Sequence, residues 1–283
     1  MRLEIGGRIL EGPGPFLMGV VNVTPDSFSD GGRFLDPGAA VARAERLAAE
    51  GADLIDLGGE STRPGAAPVD PAEERRRVVP VIERLRAAGF RLPISVDTCK
   101  GEVARAALDA GAAMVNDVLG LADPALARAV AAAGVPVVAM HTRGLPADMA
   151  ARAVYRDLLA EVAAELRAAL RRATDAGIRE EQVILDPGIG FAKTPAQSLE
   201  LLARVGELRA LGRPLLVGPS RKRFIGHATG AAVEDRLPGT LAAVTACVLA
   251  GVEVLRVHDV AAARQAADLA AALRRAGGAP ALG

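Results

Sequence analysis

Tryptophan is absent from this 283-residue chain, and histidine and lysine are scarce, with three of each beside 31 arginines. Cysteine occurs twice, at positions 99 and 247, too few for a disulfide framework and without the spacing of a metal site. Such usage fits a reducing cytoplasm and argues against structural zinc. Neither sign of charge is in excess, since 34 basic residues face 34 acidic ones. A neutral total gives no electrostatic reason to expect nucleic acid or an anionic membrane surface as a partner. Long apolar runs are missing too. The longest uncharged stretch, Leu237–Val252, holds Pro238, Gly239 and two Thr within 16 residues, short of the ~18–20 that span a bilayer. Near the start, Arg2, Glu4, Arg8 and Glu11 leave no room for an apolar signal core, so export is not expected.

What the chain does have is hydrophobic residues, 51% of the total, in a strict order. Short apolar runs of strand length alternate with Ala/Arg/Leu-rich segments of helical period. The runs are Phe16–Val23, Asp53–Leu57, Leu92–Val96, Met114–Val115, Val135–Met140, Val183–Leu185, Pro214–Val217 and Val252–Val257, eight in all. Four helix starts are marked by a capping side chain followed by Pro: Asp36-Pro37, Asp70-Pro71, Asp123-Pro124 and Thr194-Pro195. Glu73 is placed to complete a capping box with Asp70, and Pro80 is placed to kink that helix. Gly51, Gly89, Gly111, Gly134, Gly177, Gly212 and Gly251 stand where a left-handed residue would end each helix. Eight βα units without an evident linker predict one domain over 1–283, closed as an α/β, (β/α)8 TIM barrel. The competing doubly wound sheet lacks its Gly-x-Gly-x-x-Gly fingerprint after the first strand.

In such a barrel the strand ends and the loops after them share one face, where chemistry is sited. Every predicted strand delivers a polar group there: Asn22, Ser61 with Thr62 and Arg63, Asp97, Asn116, His141, Asp186, Ser220 with Arg221 and Lys222, and Arg256 with His258. Around the ring these divide. Strands seven, eight, one and two carry Arg221, Lys222, Arg256, His258, Asn22, Ser61, Thr62 and Arg63, suited to an anionic group and its metal. Strands three to six carry Asp97, Asn116 and Asp186, acceptors suited to a neutral ligand edge rich in N–H donors. Some of these groups have structural readings instead. Asp259 can be the N-cap of the last helix, and Glu60, Asp117 and His141 read as hydrogen-bonded support. His227 reads as a surface residue. Cys99 and Cys247 lack a neighbouring base, whereas Lys222 could form a Schiff base as in an aldolase.

The strings Met18-Gly-Val-Val-Asn-Val-Thr-Pro-Asp-Ser-Phe-Ser-Asp-Gly-Gly32, Gly58-Gly-Glu-Ser-Thr-Arg-Pro-Gly65, Asp186-Pro-Gly-Ile-Gly-Phe191 and Gly218-Pro-Ser-Arg-Lys222 resemble those of the bacterial dihydropteroate synthases. Arg256-Val-His258 agrees, and the likeness runs from about Leu10 to the last helix. Departures are few: Thr142 stands where many relatives have a second Met after the strand-five His, and Thr98-Cys99-Lys100 fills a variable place in the strand-three loop. The resemblance implies an α/β barrel, usually a homodimer, of folate biosynthesis. Its members join 6-hydroxymethyl-7,8-dihydropterin diphosphate to 4-aminobenzoate with Mg²⁺, releasing pyrophosphate and 7,8-dihydropteroate.

By that resemblance Asp97, Asn116, Asp186 and Lys222 hold the pterin, with Met140, Phe191 and Gly218 lining its ring. Asn22, Thr62, Arg256 and His258 take the diphosphate, with Mg²⁺ at Asn22. Ser220 and Arg63 receive the aminobenzoate, and the Thr24–Gly32 loop closes over it. Arg256, His258, Lys222, Arg63 and Asn22 are the expected catalytic set. The nearest alternative is a methyltetrahydrofolate-corrinoid methyltransferase on a similar barrel, which has no diphosphate to bind. A catalytically silent pterin-binding protein is a third class, set against the presence of every expected catalytic group.

Overall fold

The structure, a computed structural model, describes residues 2–12, 14–24, 37–62 and 65–277. Eight parallel strands form one sheet: β3 (Phe16–Asn22), β4 (Leu54–Gly58), β5 (Ile94–Asp97), β6 (Met114–Asp117), β7 (Val137–Met140), β8 (Val183–Asp186), β9 (Leu216–Val217) and β10 (Val254–Val257), in the order β8-β7-β6-β5-β4-β3-β10-β9. A parallel bridge between Leu185 and Leu215 joins the two ends. The sheet is therefore a closed barrel, and the open doubly wound alternative is excluded. All eight predicted strand positions are occupied.

The helices follow the predicted stops and starts. Asp70 accepts a hydrogen bond from the Ala72 amide at 2.8 Å and opens α2 (Pro71–Ala87). Asp123 does the same for α4 (Pro124–Ala133) and also takes the Gly101 amide at 2.9 Å. Thr194 and Gln197 make a reciprocal capping box at α6 (Pro195–Ala203). Asp36 lies outside the described residues. The seven glycines expected after helices all have positive φ. One local expectation is corrected: Glu73 pairs with Arg76 and Arg77 instead of closing a box. Pro80 lies inside α2. No helix among the described residues is long and apolar enough to cross a membrane.

An antiparallel hairpin, β1 (Arg2–Ile5) and β2 (Arg8–Glu11), precedes the barrel and was not foreseen. Its two-residue turn is Gly6-Gly7, both at positive φ, the backbone that matches the twist of a tight hairpin. Leu3, Ile5 and Leu10 pack on Met18, Leu54, Met114, Val138, Ile184, Leu216 and Val254. Those seven are inward-facing residues near the strand starts, so the hairpin plugs the barrel's N-terminal end. A second, larger core lies between the strands' outer faces and the helices.

Strand periodicity then fixes the other end. Side chains two apart share a face, so an inward apolar residue dictates an inward residue two positions later. Leu54 leads to Asp56, Met114 to Asn116, Val138 to Met140, Ile184 to Asp186, Leu216 to Gly218 and Val254 to Arg256; Ser95 leads likewise to Asp97. A layer of polar and small residues sits directly above the apolar plug.

Candidate active site

Asp56 is at the centre of this layer. It is fully buried, and its Oδ2 accepts hydrogen bonds from Asn116 Nδ2 at 3.0 Å and Arg256 Nε at 2.6 Å. The same guanidinium reaches Asp97 Oδ2 through Nη2 at 2.7 Å. Arg256, grouped from its strand with the cationic arc, thus extends into the acidic one and bridges two carboxylates. Burial opposes the charge on Arg256, but Asp56 and Asp97 outweigh it and hold the guanidinium protonated. Burial pushes the Asp97 carboxyl up to about 7, with Arg256 acting against the rise. Oδ1 of Asp56 is buried without a hydrogen-bond partner among the described residues, an acceptor in reserve. Asp56 is absent from the residues singled out in the sequence, although a carboxylate inside an otherwise apolar parallel strand is a signal that could have found it.

Asn22 joins this group at the mouth. A side chain at Gly58 would lie 3.6 Å from Asp97 Oδ2 and 3.8 Å from Asn22 Oδ1, so the three positions converge. Gly218 likewise separates Arg256 from Lys222: a Cβ there would stand 3.7 Å from Arg256 Cβ and 3.8 Å from Lys222 Nζ.

Lys222 closes the ring on the far side. Its Nζ donates to the Ile189 carbonyl and lies 4.7 Å from the centre of the Phe191 ring. Burial lowers its pKa to about 8, with Asp186 opposing the fall. Burial in turn raises Asp186, against the pull of Lys222. Asp186 Oδ1 accepts from the Gly188 amide at 2.7 Å, which folds the following loop back over the strand end. At Gly188, where φ is +66°, a Cβ would come 1.9 Å from the His141 carbonyl oxygen, so no other residue fits. Met140 is buried in the same layer.

His258 Nδ1 lies 2.9 Å from the buried Ser220 hydroxyl, which also accepts from the His258 amide at 3.3 Å. Burial, with Arg256 and Arg221 nearby, pushes His258 down to about 4. Near neutrality it is a hydrogen-bonding imidazole and adds no cation to the arc. Asp259 does not cap α9 (Val260–Ala276); both its oxygens engage Arg221, at 3.0 and 2.6 Å. Thr62 stands half-buried in the loop after β4. Arg63 lies outside the described residues, as does the Thr24–Gly32 loop beyond Thr24.

The groups read as support take that part. Glu60 accepts from Lys100 and from the Val69 amide at 3.2 Å. Asp117 accepts from the amides of Leu119 and Leu121. His141 meets Glu165 at 3.0 Å and Lys193 at 2.8 Å. Burial pushes the thiols of Cys99 and Cys247 up to about 12, the wrong direction for nucleophiles. Among the described residues no three His, Cys, Asp or Glu side chains gather as a metal site.

Residues 18–258 match the model of the pterin binding enzyme family. The dihydropteroate synthase of a Synechocystis strain is 44% identical over 96% of this chain and 95% of its own. The folic acid synthesis protein fol1 of Schizosaccharomyces pombe is 45% identical over 92% of this chain, which spans only 36% of that longer protein. The dihydropteroate synthase of Xanthomonas albilineans, solved with 4-aminobenzoic acid, superposes with a TM-score of 0.90 at 49% identity, covering 99% of each chain. Its complex with 7,8-dihydropteroate gives 0.87 at 48%, covering 97% of this chain and 99% of that one. The chain belongs to the pterin-binding enzyme family, and within it to the dihydropteroate synthases.

Proposed function

We propose that this chain condenses 6-hydroxymethyl-7,8-dihydropterin diphosphate with 4-aminobenzoate, giving 7,8-dihydropteroate and pyrophosphate. The observation that carries the reading is the inward layer in which Asp97, Asn116, Asp186 and Lys222 meet around Arg256 and Gly218. An amino-pyrimidinone edge offers N–H donors to the two carboxylates and Asn116, and a carbonyl to the Lys222 ammonium. Met140, Phe191 and Gly218 supply the apolar and open surface that a flat ring needs.

The diphosphate would lie toward Asn22, Thr62, Arg256 and His258. His258 would donate to it beside the Arg256 cation. The amide oxygen of Asn22 is a hard donor at the mouth and would hold Mg²⁺. Bound there, the ion would neutralise charge on the departing pyrophosphate. The electron-rich dihydropterin can stabilise the methylene cation that remains, so a dissociative displacement needs no protein nucleophile. Ser220 and Arg63 would receive the aminobenzoate carboxylate, and the neutral arylamine needs little help from a base.

Formation of 7,8-dihydropteroate and release of pyrophosphate from the dihydropterin diphosphate, measured with and without 4-aminobenzoate in the presence of Mg²⁺, test the reading; no amine-dependent release and no dihydropteroate sink it. Within that assay Arg256→Ala lowers turnover by about 10²–10³ while pterin binding survives better. Asp97→Ala abolishes pterin binding. We also propose a homodimer working in the cytoplasm. In support, Leu249 at the end of α8 (Leu237–Leu249) and Leu269 and Leu273 on α9 are 48%, 63% and 54% exposed, an apolar face for a second copy. Sedimentation at twice the monomer mass is the expected result, and a monomer at micromolar concentration refutes it.

A further inference from the structure

The loop after β8 carries Phe191 and the Ile189 carbonyl that meets Lys222. Besides the Asp186 contact to the Gly188 amide, it is held by its own Lys193 and by side chains from other elements. Lys193, only 8% exposed, donates through Nζ to the carbonyls of Gly188 at 3.1 Å and Phe191 at 3.0 Å, and meets His141 Nδ1 at 2.8 Å. An ammonium has three hydrogens and no lone pair, so these three contacts use its whole capacity, and His141 Nδ1 must be an acceptor. The His141 proton therefore sits on Nε2, where Glu165 Oε2 accepts it at 3.0 Å. Glu165 is fixed in turn by Arg143, whose guanidinium also reaches Glu161 at 2.7 Å and lies 4.0 Å from the centre of the Tyr155 ring. The Tyr155 hydroxyl donates to the Ala192 carbonyl at 2.9 Å, a second tie onto the same loop.

From this geometry we propose that Lys193 is a positioning residue for the pterin site, held by the His141–Glu165 pair and holding the loop that presents Phe191 and Ile189 to Lys222. It rests on the pterin reading above, which assigned Lys193 no role. Burying a lysine is costly unless its charge is matched, and here two carbonyls and an imidazole lone pair satisfy its hydrogens without matching its charge. The charged groups around it are Asp186 and Glu165, which favour its ammonium form, and Lys222 and Arg143, which oppose it. Burial outweighs the favourable groups and brings Lys193 down to about 7. A neutral amine has two hydrogens for three acceptors, so one tie of the loop is lost as pH rises past that value.

The experiment is steady-state kinetics of the full chain, with KM for each substrate, on wild type, Lys193→Met and Glu165→Gln between pH 6.5 and 8.5. Lys193→Met is expected to raise KM for the pterin diphosphate about 10- to 100-fold while KM for 4-aminobenzoate stays within about twofold. The wild-type pterin KM should climb more steeply above pH 7 than that of the variant, whose remaining pH dependence comes from Asp97 and Lys222. Glu165→Gln frees the His141 tautomer from a half-exposed helix position, and should raise the same KM less steeply with an unchanged melting temperature. If Lys193→Met does not fold, Glu165→Gln decides alone. Unchanged pterin KM in the folded variants, or equal rises for both substrates, overturns the proposal. Should wild type show no amine-dependent turnover, the proposed function fails separately. Calorimetric titration with 6-hydroxymethylpterin then decides the role of Lys193, by weaker binding in Lys193→Met or by none of that difference.

Discussion

At the scale of single residues, the site is governed by which charges burial permits. Asp56, Asp97 and Arg256 form a buried cluster in which one cation is shared by two carboxylates, and breaking such a set leaves a charge unmatched. His258 shows the opposite outcome. Buried, with no carboxylate among its hydrogen-bond partners and with Arg256, Arg221 and Arg43 nearby against Asp259 alone, it gives up its proton and stays neutral. The sign of its pH effect follows. Its folded pKa of about 4 lies below the ordinary 6.5, so between those values the unfolded chain binds a proton that the folded chain does not. This imidazole therefore costs stability as pH falls from 6.5 to 4. Urea unfolding of wild type and His258→Gln across that range checks it. The wild type should lose stability faster than the variant on acidification, and parallel curves would contradict the assignment.

At the scale of elements, the local signals were legible because they are local. A capping side chain acts on an amide two or three residues away, and a glycine's φ is its own affair, so Asp70, Asp123, Thr194 and the seven helix-ending glycines behaved as the sequence predicts. Thr194→Ala removes a complete capping box at the helix that follows the Lys193 loop. A loss of about 1 kcal/mol is expected, read as a lower urea midpoint, and no loss would mean that the box is redundant with the packing of α6. The hairpin is hard to read because its strands are four residues long and each carries two charges, at the two ends in β2 and on alternate positions in β1. That alternation is itself the mark of a half-buried strand. Asp56 is hard to read for a related reason: it lies inside its strand, below the polar strand ends, where only the inward parity marks it. The reach of Arg256 could not be read from its position, since its partners lie 159 and 200 residues away and a long side chain selects them only after the barrel has closed.

At the scale of the whole molecule, the barrel divides its tasks between two ends. The N-terminal end is dry, sealed by Leu3, Ile5 and Leu10 against seven inward apolar residues. The C-terminal end holds the buried charges, which are costly to fold and useful to bind with. The neutral total of the sequence conceals this division, because the acidic and basic groups of the mouth cancel one another at contact distance and not across the surface. Parallel strands tie the two ends rigidly, but the side chains of one end do not touch a ligand at the other, so stability and function should separate under mutation. Ile5→Ala tests this in full. Ile5 is completely buried in the plug, and its truncation should cost about 2–5 kcal/mol. The melting temperature should fall, while both KM values and turnover, measured well below the new transition, remain at wild-type levels. Asp97→Ala should do the reverse, abolishing pterin binding in a chain that still unfolds cooperatively. A pterin KM raised by Ile5→Ala would show that the plug sets the shape of the mouth, and the two ends would then have to be treated as one.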